Sequence, residues 1–224
     1  MEILRAEKIV QWFPPNRRIL EEVDLVVQAG ESVSVLGGPG SGKTLLMEIL
    51  SGFRTPSAGR VYVLEKERTG ADRGAGEAFR RKHLGILPRN PGFLPLLTLE
   101  ENVALPLILK GMPGVKARKL AKERLELLGL RSVRGRLSGQ LTALESSFGN
   151  MARGTLHGPE LVLADEFTAD LTEAEEDKVW DLFPAILRQG NMTLIQTAGC
   201  RRTAGRTLRS LTLYNGKLEQ GDSI

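Results

Sequence analysis

Residues 37–44 read Gly37-Gly38-Pro39-Gly40-Ser41-Gly42-Lys43-Thr44, which satisfies the pattern G-x-x-x-x-G-K-[ST]. Few eight-residue stretches restrict a fold so strongly, because this one has meaning only between a strand and a helix. Both neighbours fit. Ser32–Leu36 is a short Val- and Leu-bearing run of strand type, and Lys43–Leu50 is a run of good helix formers that ends near Ser51-Gly52. In such a loop the glycines let successive backbone N–H groups converge on phosphate oxygens, and the helix N-terminus adds a positive dipole. Lys43 then reaches the β- and γ-phosphates, and the Thr44 hydroxyl binds Mg²⁺. A glycine-rich surface turn that merely precedes a lysine would lack the flanking elements.

Around the loop the pattern alternates between β and α. Ile3–Val10 and Leu20–Val27 are strand-like runs separated by Pro14-Pro15-Asn16, and Arg60–Leu64 and His83–Leu87 continue the series. The charged, glycine-dotted stretch Lys66–Arg81 reads as an exposed connection. Between Thr98 and Leu156 the period becomes helical, with Leu120, Leu125, Leu127, Leu128 and Leu130 among charges, as in an inserted helical subdomain. Leu161–Ala164 is fully apolar, as in a buried parallel sheet, and a helix over Glu173–Arg188 follows it. Met192–Gln196 repeats the strand pattern, and Leu208–Tyr214 with Lys217–Glu219 forms a hairpin about Asn215-Gly216. The strand Leu163-Ala164 delivers Asp165 to a Mg²⁺ shell, and Glu166 beside it is placed to orient or deprotonate an attacking water.

Composition narrows the remaining classes. The 224 residues match one domain with an insertion rather than two full domains. Thirty-one Lys plus Arg against 27 Asp plus Glu leave only +4, spread along the chain, so nucleic acid is not implied. The lone Cys200 closes no internal disulfide, and with His83 and His157 as the two histidines a Cys/His zinc site is not expected. Met1–Arg5 lacks the order of a signal peptide, and no apolar run approaches the ~18 residues that span a bilayer. Any membrane role therefore needs a partner, and the chain suits a reducing cytoplasm.

Through these motifs the chain resembles an ATP-binding cassette (ABC) transporter ATPase subunit over nearly its whole length. Pro91–Leu107, containing Leu99-Glu100-Glu101-Asn102-Val103-Ala104-Leu105-Pro106, is similar to the segment that marks the lipoprotein-release, macrolide-export and cell-division branch of that family. The resemblance implies an α/β fold: a P-loop NTPase core with a parallel sheet over about 1–87 and 160–224, an N-terminal antiparallel β-subdomain, and a helical subdomain over about 90–157. It implies ATP and Mg²⁺ as ligands and an aromatic ring that stacks on adenine, Phe13 first and Trp12 second. It also implies a permease-type integral membrane partner, docked on the Pro91–Leu107 region at the cytoplasmic face. Pairing with a second cassette, in a homodimer or a heterodimer, is expected as well.

Several positions depart from the family. Its Leu-Ser-Gly-Gly-Gln signature, counted back from Asp165, falls on Leu141-Thr142-Ala143-Leu144-Glu145, where side chains replace both glycines. Leu137-Ser138-Gly139-Gln140 resembles a signature one glycine short but lies four residues early, and it serves only if the following helix gains about one turn of 3.6 residues. Degeneration is the favoured reading. The Gln that contacts Mg²⁺ is replaced by Arg89, the Asp after the magnesium strand by Thr172, and the switch His by Ala198. Because losing one preorganised donor costs on the order of 10²–10³ in rate, the expected ATPase turnover is slow. The alternative is an impaired nucleotide-binding subunit paired with a competent ATPase.

Overall fold

The computed structural model describes residues 1–15 and 17–220. In chain order the elements are β1 (Glu2–Phe13), β2 (Arg17–Gln28), β3 (Ser32–Leu36), α1 (Lys43–Leu50), β4 (Ala58–Val63), β5 (Lys66–Glu67), α2 (Arg73–His83), β6 (Leu84–Pro88) and α3 (Leu99–Leu109). There follow α4 (Gly114–Leu127), α5 (Ala143–Thr155), β7 (Leu161–Asp165), α6 (Glu173–Gln189), β8 (Thr193–Ala198), α7 (Arg201–Ala204), β9 (Arg209–Tyr214) and β10 (Lys217–Gln220). They fall into two units: Met1–Arg80 with Leu163–Glu166 and Thr193 onward, and Arg81–Val162 with Phe167–Met192. β6 and α6 group with the helical segment.

In the first unit an antiparallel sheet of order β2-β1-β4-β5 has one wet face. Val23, Leu25 and Val27 of β2 are buried while Asp24 and Val26 between them face outward, the period of two that a half-buried strand requires, and an irregularity at Glu22, φ +49°, sets Leu20 on the buried face as well. The other sheet is built on β3, parallel to β8 on one side and to β9 on the other. Every residue of β8 is buried, as expected for an interior strand. Its register sets Leu36 opposite Ala198, so β3 and β8 end together where the glycine loop begins. Asn215 and Gly216, at φ +46° and +77°, make the primed turn that joins β9 to β10.

In the second unit α5 packs against β6, and α3 and α4 pack against each other and against α5. Buried Asn102 organises the approach to α3. It accepts the Leu94 N–H at 2.7 Å and donates to the carbonyls of Leu94, Leu97 and Thr98 at 3.1 Å. Thr98 and Glu101 close the helix end with a reciprocal capping box. α6 carries Trp180 and Phe183 against Phe167, with ring centroids 5.3–6.1 Å apart.

Lys66–Arg81, expected as a plain connection, is partly structured. It holds β5 and most of α2, although no α2 residue is buried. Gly74 and Gly76 disguise that helix. Its support is local: the Asp72 carboxylate accepts the Ala75 N–H at 2.9 Å, and Arg73 pairs with Glu77 at 3.2 Å.

His157 gives the second unit an acid-sensitive group. Its Nε2 donates to the Leu84 carbonyl at 3.0 Å, while Nδ1 is buried without a hydrogen-bond partner. Burial, reinforced by Lys110, pushes the imidazole pKa down to about 4. The neutral ring is favoured in the fold, so its contribution is complete above the unfolded value near 6.5 and is lost as pH falls through about 4. A His157→Gln variant, compared with the parent by urea unfolding between pH 7 and 4.5, should lose less stability on acidification, by up to about 3 kcal/mol.

Candidate nucleotide site

The β3–loop–α1 segment builds a cradle from main chain. Gly42, at φ +101°, is the N-cap of α1, and a Cβ there would come within 2.9 Å of the Ile19 side chain. Gly37 is equally constrained, because a Cβ would sit 2.5 Å from Ser41 Oγ. No side chain caps α1, so its first-turn amides, which have no intrahelical acceptors, face outward. Pro39, Gly40, Ser41, Gly42, Lys43 and Thr44 wall a cavity of about 360 Å³ together with Leu45, Glu48 and Glu166. Ser41 Oγ is buried with no hydrogen-bond partner, an unsatisfied group within a loop shaped for an oxygen-rich anion.

Lys43 is only 6% exposed, and its Nζ is held by three acceptors. It donates to the carbonyls of Gly37 at 2.6 Å and Gly38 at 3.0 Å, and pairs with Glu166 Oε1 at 3.1 Å. Glu166 follows β7 with φ +46°, a conformation rare for a residue with a side chain. Thr197 of β8 stabilises that turn. Its hydroxyl accepts the Glu166 N–H at 2.9 Å and donates to Asp165 Oδ1 at 2.6 Å. The structure therefore brings together Gly37–Thr44, Asp165 and Glu166, and adds Thr197 and Glu48, which sequence reasoning passed over because neither belongs to a spaced motif. Ala198 is buried at the end of β8, and its carbonyl accepts the Gly37 N–H at 3.1 Å.

Among the described residues no three His, Cys, Asp or Glu side chains cluster as a metal cage. A cation here would need most of its ligands from phosphate and water, which is how Mg²⁺ binds. The exposed Thr44 hydroxyl and the Thr197-oriented Asp165 carboxylate are the donors of the right chemistry. Phe13 and Trp12 point to opposite faces of β1, as strand alternation demands. Phe13 is 37% exposed, with the Arg54 guanidinium 5.7 Å from its ring centroid. Trp12 lines a separate depression of about 870 Å³ with Arg18, Glu21 and Lys217.

The altered positions of the second unit have partners of their own. Arg89 grips Asp170, donating from Nη2 at 2.5 Å and from Nε to both carboxylate oxygens at 3.2 Å. Thr172 caps α6, giving its N–H and hydroxyl to Glu175 at 3.0 and 2.8 Å. Thr142 caps α5 through a reciprocal box with Glu145. α5 begins at Ala143 and Leu141 is extended, so the helix does not gain the turn that a displaced signature requires. Ser138–Gln140 forms only a separate 3-10 turn.

A glycine cradle at the carboxyl end of a parallel sheet, followed by a buried strand ending in Asp-Glu, defines a P-loop nucleotide-binding protein. The sequence matches the ABC transporter family over residues 20–169. It is 35% identical over 220 residues to the ABC transporter ATP-binding protein YbbA of Escherichia coli K12, covering 98% of this chain and 96% of that one. It is 35% identical over 203 residues to the lipoprotein-releasing system ATP-binding protein LolD of Nitratidesulfovibrio vulgaris, covering 89% and 86%. A dimeric structure of the ATP-binding cassette MJ0796, bound to ADP and Pi, superposes with a TM-score of 0.89 at 26% identity, covering 99% of this chain and all of that one. The chain belongs to the ABC transporter family as an ATP-binding subunit, and the expected α/β cassette fold is the one observed. No helix among the described residues is long and apolar enough to cross a membrane.

The Arg89 side-chain hydrogen bonds hold the Asp170 carboxyl below the ordinary carboxylate range. This exposed pair adds stability above the ordinary carboxylate pKa and loses it as pH falls through the lowered one. In Arg89→Gln the NMR titration of Asp170 should move up to that of an ordinary aspartate, and an unchanged titration would refute the ion pair.

Proposed function

We propose that the chain binds Mg·ATP in the Gly37–Thr44 cradle and couples that event to an integral membrane partner. That partner is a permease-type subunit of a transporter or lipoprotein-extraction complex. The carrying observation is Lys43, an ammonium clamped by two loop carbonyls and Glu166 at the wall of a 360 Å³ cavity. The likeness to LolD, named as part of a lipoprotein-releasing system, supports the substrate class. Leu94 and Leu96, 50% and 89% exposed just ahead of α3, offer an apolar surface in the region expected to meet the membrane subunit. Docking there sets the chain at the cytoplasmic face, and the dimeric MJ0796 cassette supports pairing of two ATP-binding subunits.

The chemistry follows from charge. The loop amides and the α1 dipole receive phosphate oxygens, and Lys43 turns from the Glu166 carboxylate toward the β- and γ-phosphates. Glu166 thereby leaves its ion pair with Lys43 and is available to take a proton from the attacking water. Thr44 and Asp165 would hold Mg²⁺, which when bound neutralises charge on the phosphates. The purine stacks on Phe13. Turnover is slow, because Ala198 has no donor for the γ-phosphate and Arg89 carries a cation where a metal needs a lone pair.

Two measurements on the purified chain test this reading. Lys43→Ala should weaken Mg·ATP binding by about 10–100-fold in calorimetry, as loss of charged hydrogen bonds predicts. Steady-state phosphate release, alone and with the neighbouring membrane subunit, should be slow but measurable and should fall to background in Glu166→Gln. A rate already at background would instead favour a nucleotide-binding subunit that relies on a competent ATPase partner.

A further inference from the structure

The helix that follows the phosphate loop ends in a way that bears on the nucleobase. Gly52, at φ +70°, closes α1: its N–H reaches the Ile49 carbonyl at 3.0 Å, and the Phe53 N–H reaches the Glu48 carbonyl at 2.9 Å. These are the two bonds of a Schellman motif. The motif turns the chain back so that Arg54 lies alongside α1. Its N–H also finds the Glu48 carbonyl, at 3.1 Å, and its Nε donates to the Glu48 carboxylate at 2.7 Å. Held at both ends, the Arg54 guanidinium lies over the ring of Phe13. Glu48 in turn lines the phosphate cavity. A continuous set of contacts thus runs from the cavity wall through Glu48 and Arg54 to the aromatic ring at the end of β1.

We propose that Arg54 is a positioning residue for the nucleobase: braced by Glu48, it lies over one face of the Phe13 ring and fixes that ring as the platform on which the purine stacks. This rests on the reading of Phe13 given above. A half-exposed phenylalanine at a strand end otherwise samples several rotamers, and each one lost on binding reduces affinity. A cation within about 6 Å of the ring removes that freedom and is attracted to the ring face. Arg54 does not serve as a phosphate ligand, because its charge is met by Glu48. The three other arginine–aromatic pairs of the first unit among the described residues, Arg5 with Tyr62, Arg68 with Phe79 and Arg80 with Phe53, include no residue that lines the phosphate cavity.

The test is calorimetry of the full chain with two probes, Mg·ATP and inorganic tripolyphosphate with Mg²⁺. Arg54→Ala should weaken Mg·ATP binding about two- to fivefold, the scale of an exposed cation–π contact, and leave tripolyphosphate unchanged. Arg54→Lys, which keeps a cation, should recover part of the loss. Phe13→Ala should weaken Mg·ATP roughly tenfold, and adding Arg54→Ala to it should have no further effect. If Arg54→Ala loosens the end of α1, Arg54→Gln gives the same comparison with a hydrogen-bond donor to Glu48 retained. An inert Phe13→Ala would sink the stacking reading itself. An effective Phe13→Ala beside an inert or tighter-binding Arg54→Ala, or an equal loss for both probes, would overturn only the role of Arg54.

Discussion

A lysine ammonium with almost no exposure to water cannot go without acceptors, and Lys43 finds them in the carbonyls of Gly37 and Gly38 and in the carboxylate of Glu166. Much of the first unit follows from that requirement. The carbonyls can converge on Nζ only if the loop turns tightly, which the left-handed Gly40 and Gly42 allow. Glu166 can reach Nζ only because β7 ends in a residue with positive φ, held by Thr197 on β8. The parallel register of β3 and β8 brings Gly37 to the Ala198 carbonyl, so the same sheet fixes both sides of the ammonium.

The departures from the family pattern share a physical logic. Thr142 and Thr172 both stand at helix N-caps: the Thr142 hydroxyl accepts the Glu145 N–H, while Thr172 gives its own N–H and hydroxyl to the Glu175 carboxylate. Arg89 holds Asp170 in a bidentate grip.

The antiparallel strands, the buried strands and α1 were legible from the sequence because each is set by local periodicity and by the glycines and prolines between them. α2 was not, since Gly74 and Gly76 mask a helix supported by Asp72 and an Arg73–Glu77 pair. In the site, the residues of the spaced motif were legible, and Asp165 and Glu166 with them. Thr197, Glu48 and Arg54 were invisible: a threonine in a buried strand and an ion pair six residues apart look like any others until folding brings them beside the motif.

The sequence by itself determined that this chain carries a phosphate cradle and an Asp-Glu strand end, because those depend on residue types at fixed spacing within a few turns of backbone. Only the tertiary structure decided which partners those groups have. It gave Lys43 to Glu166 across 123 positions, gave Thr197 to Asp165, and set Arg54 over Phe13. Such pairings arise from sheet register and chain reversal, which bring together groups that are remote along the chain.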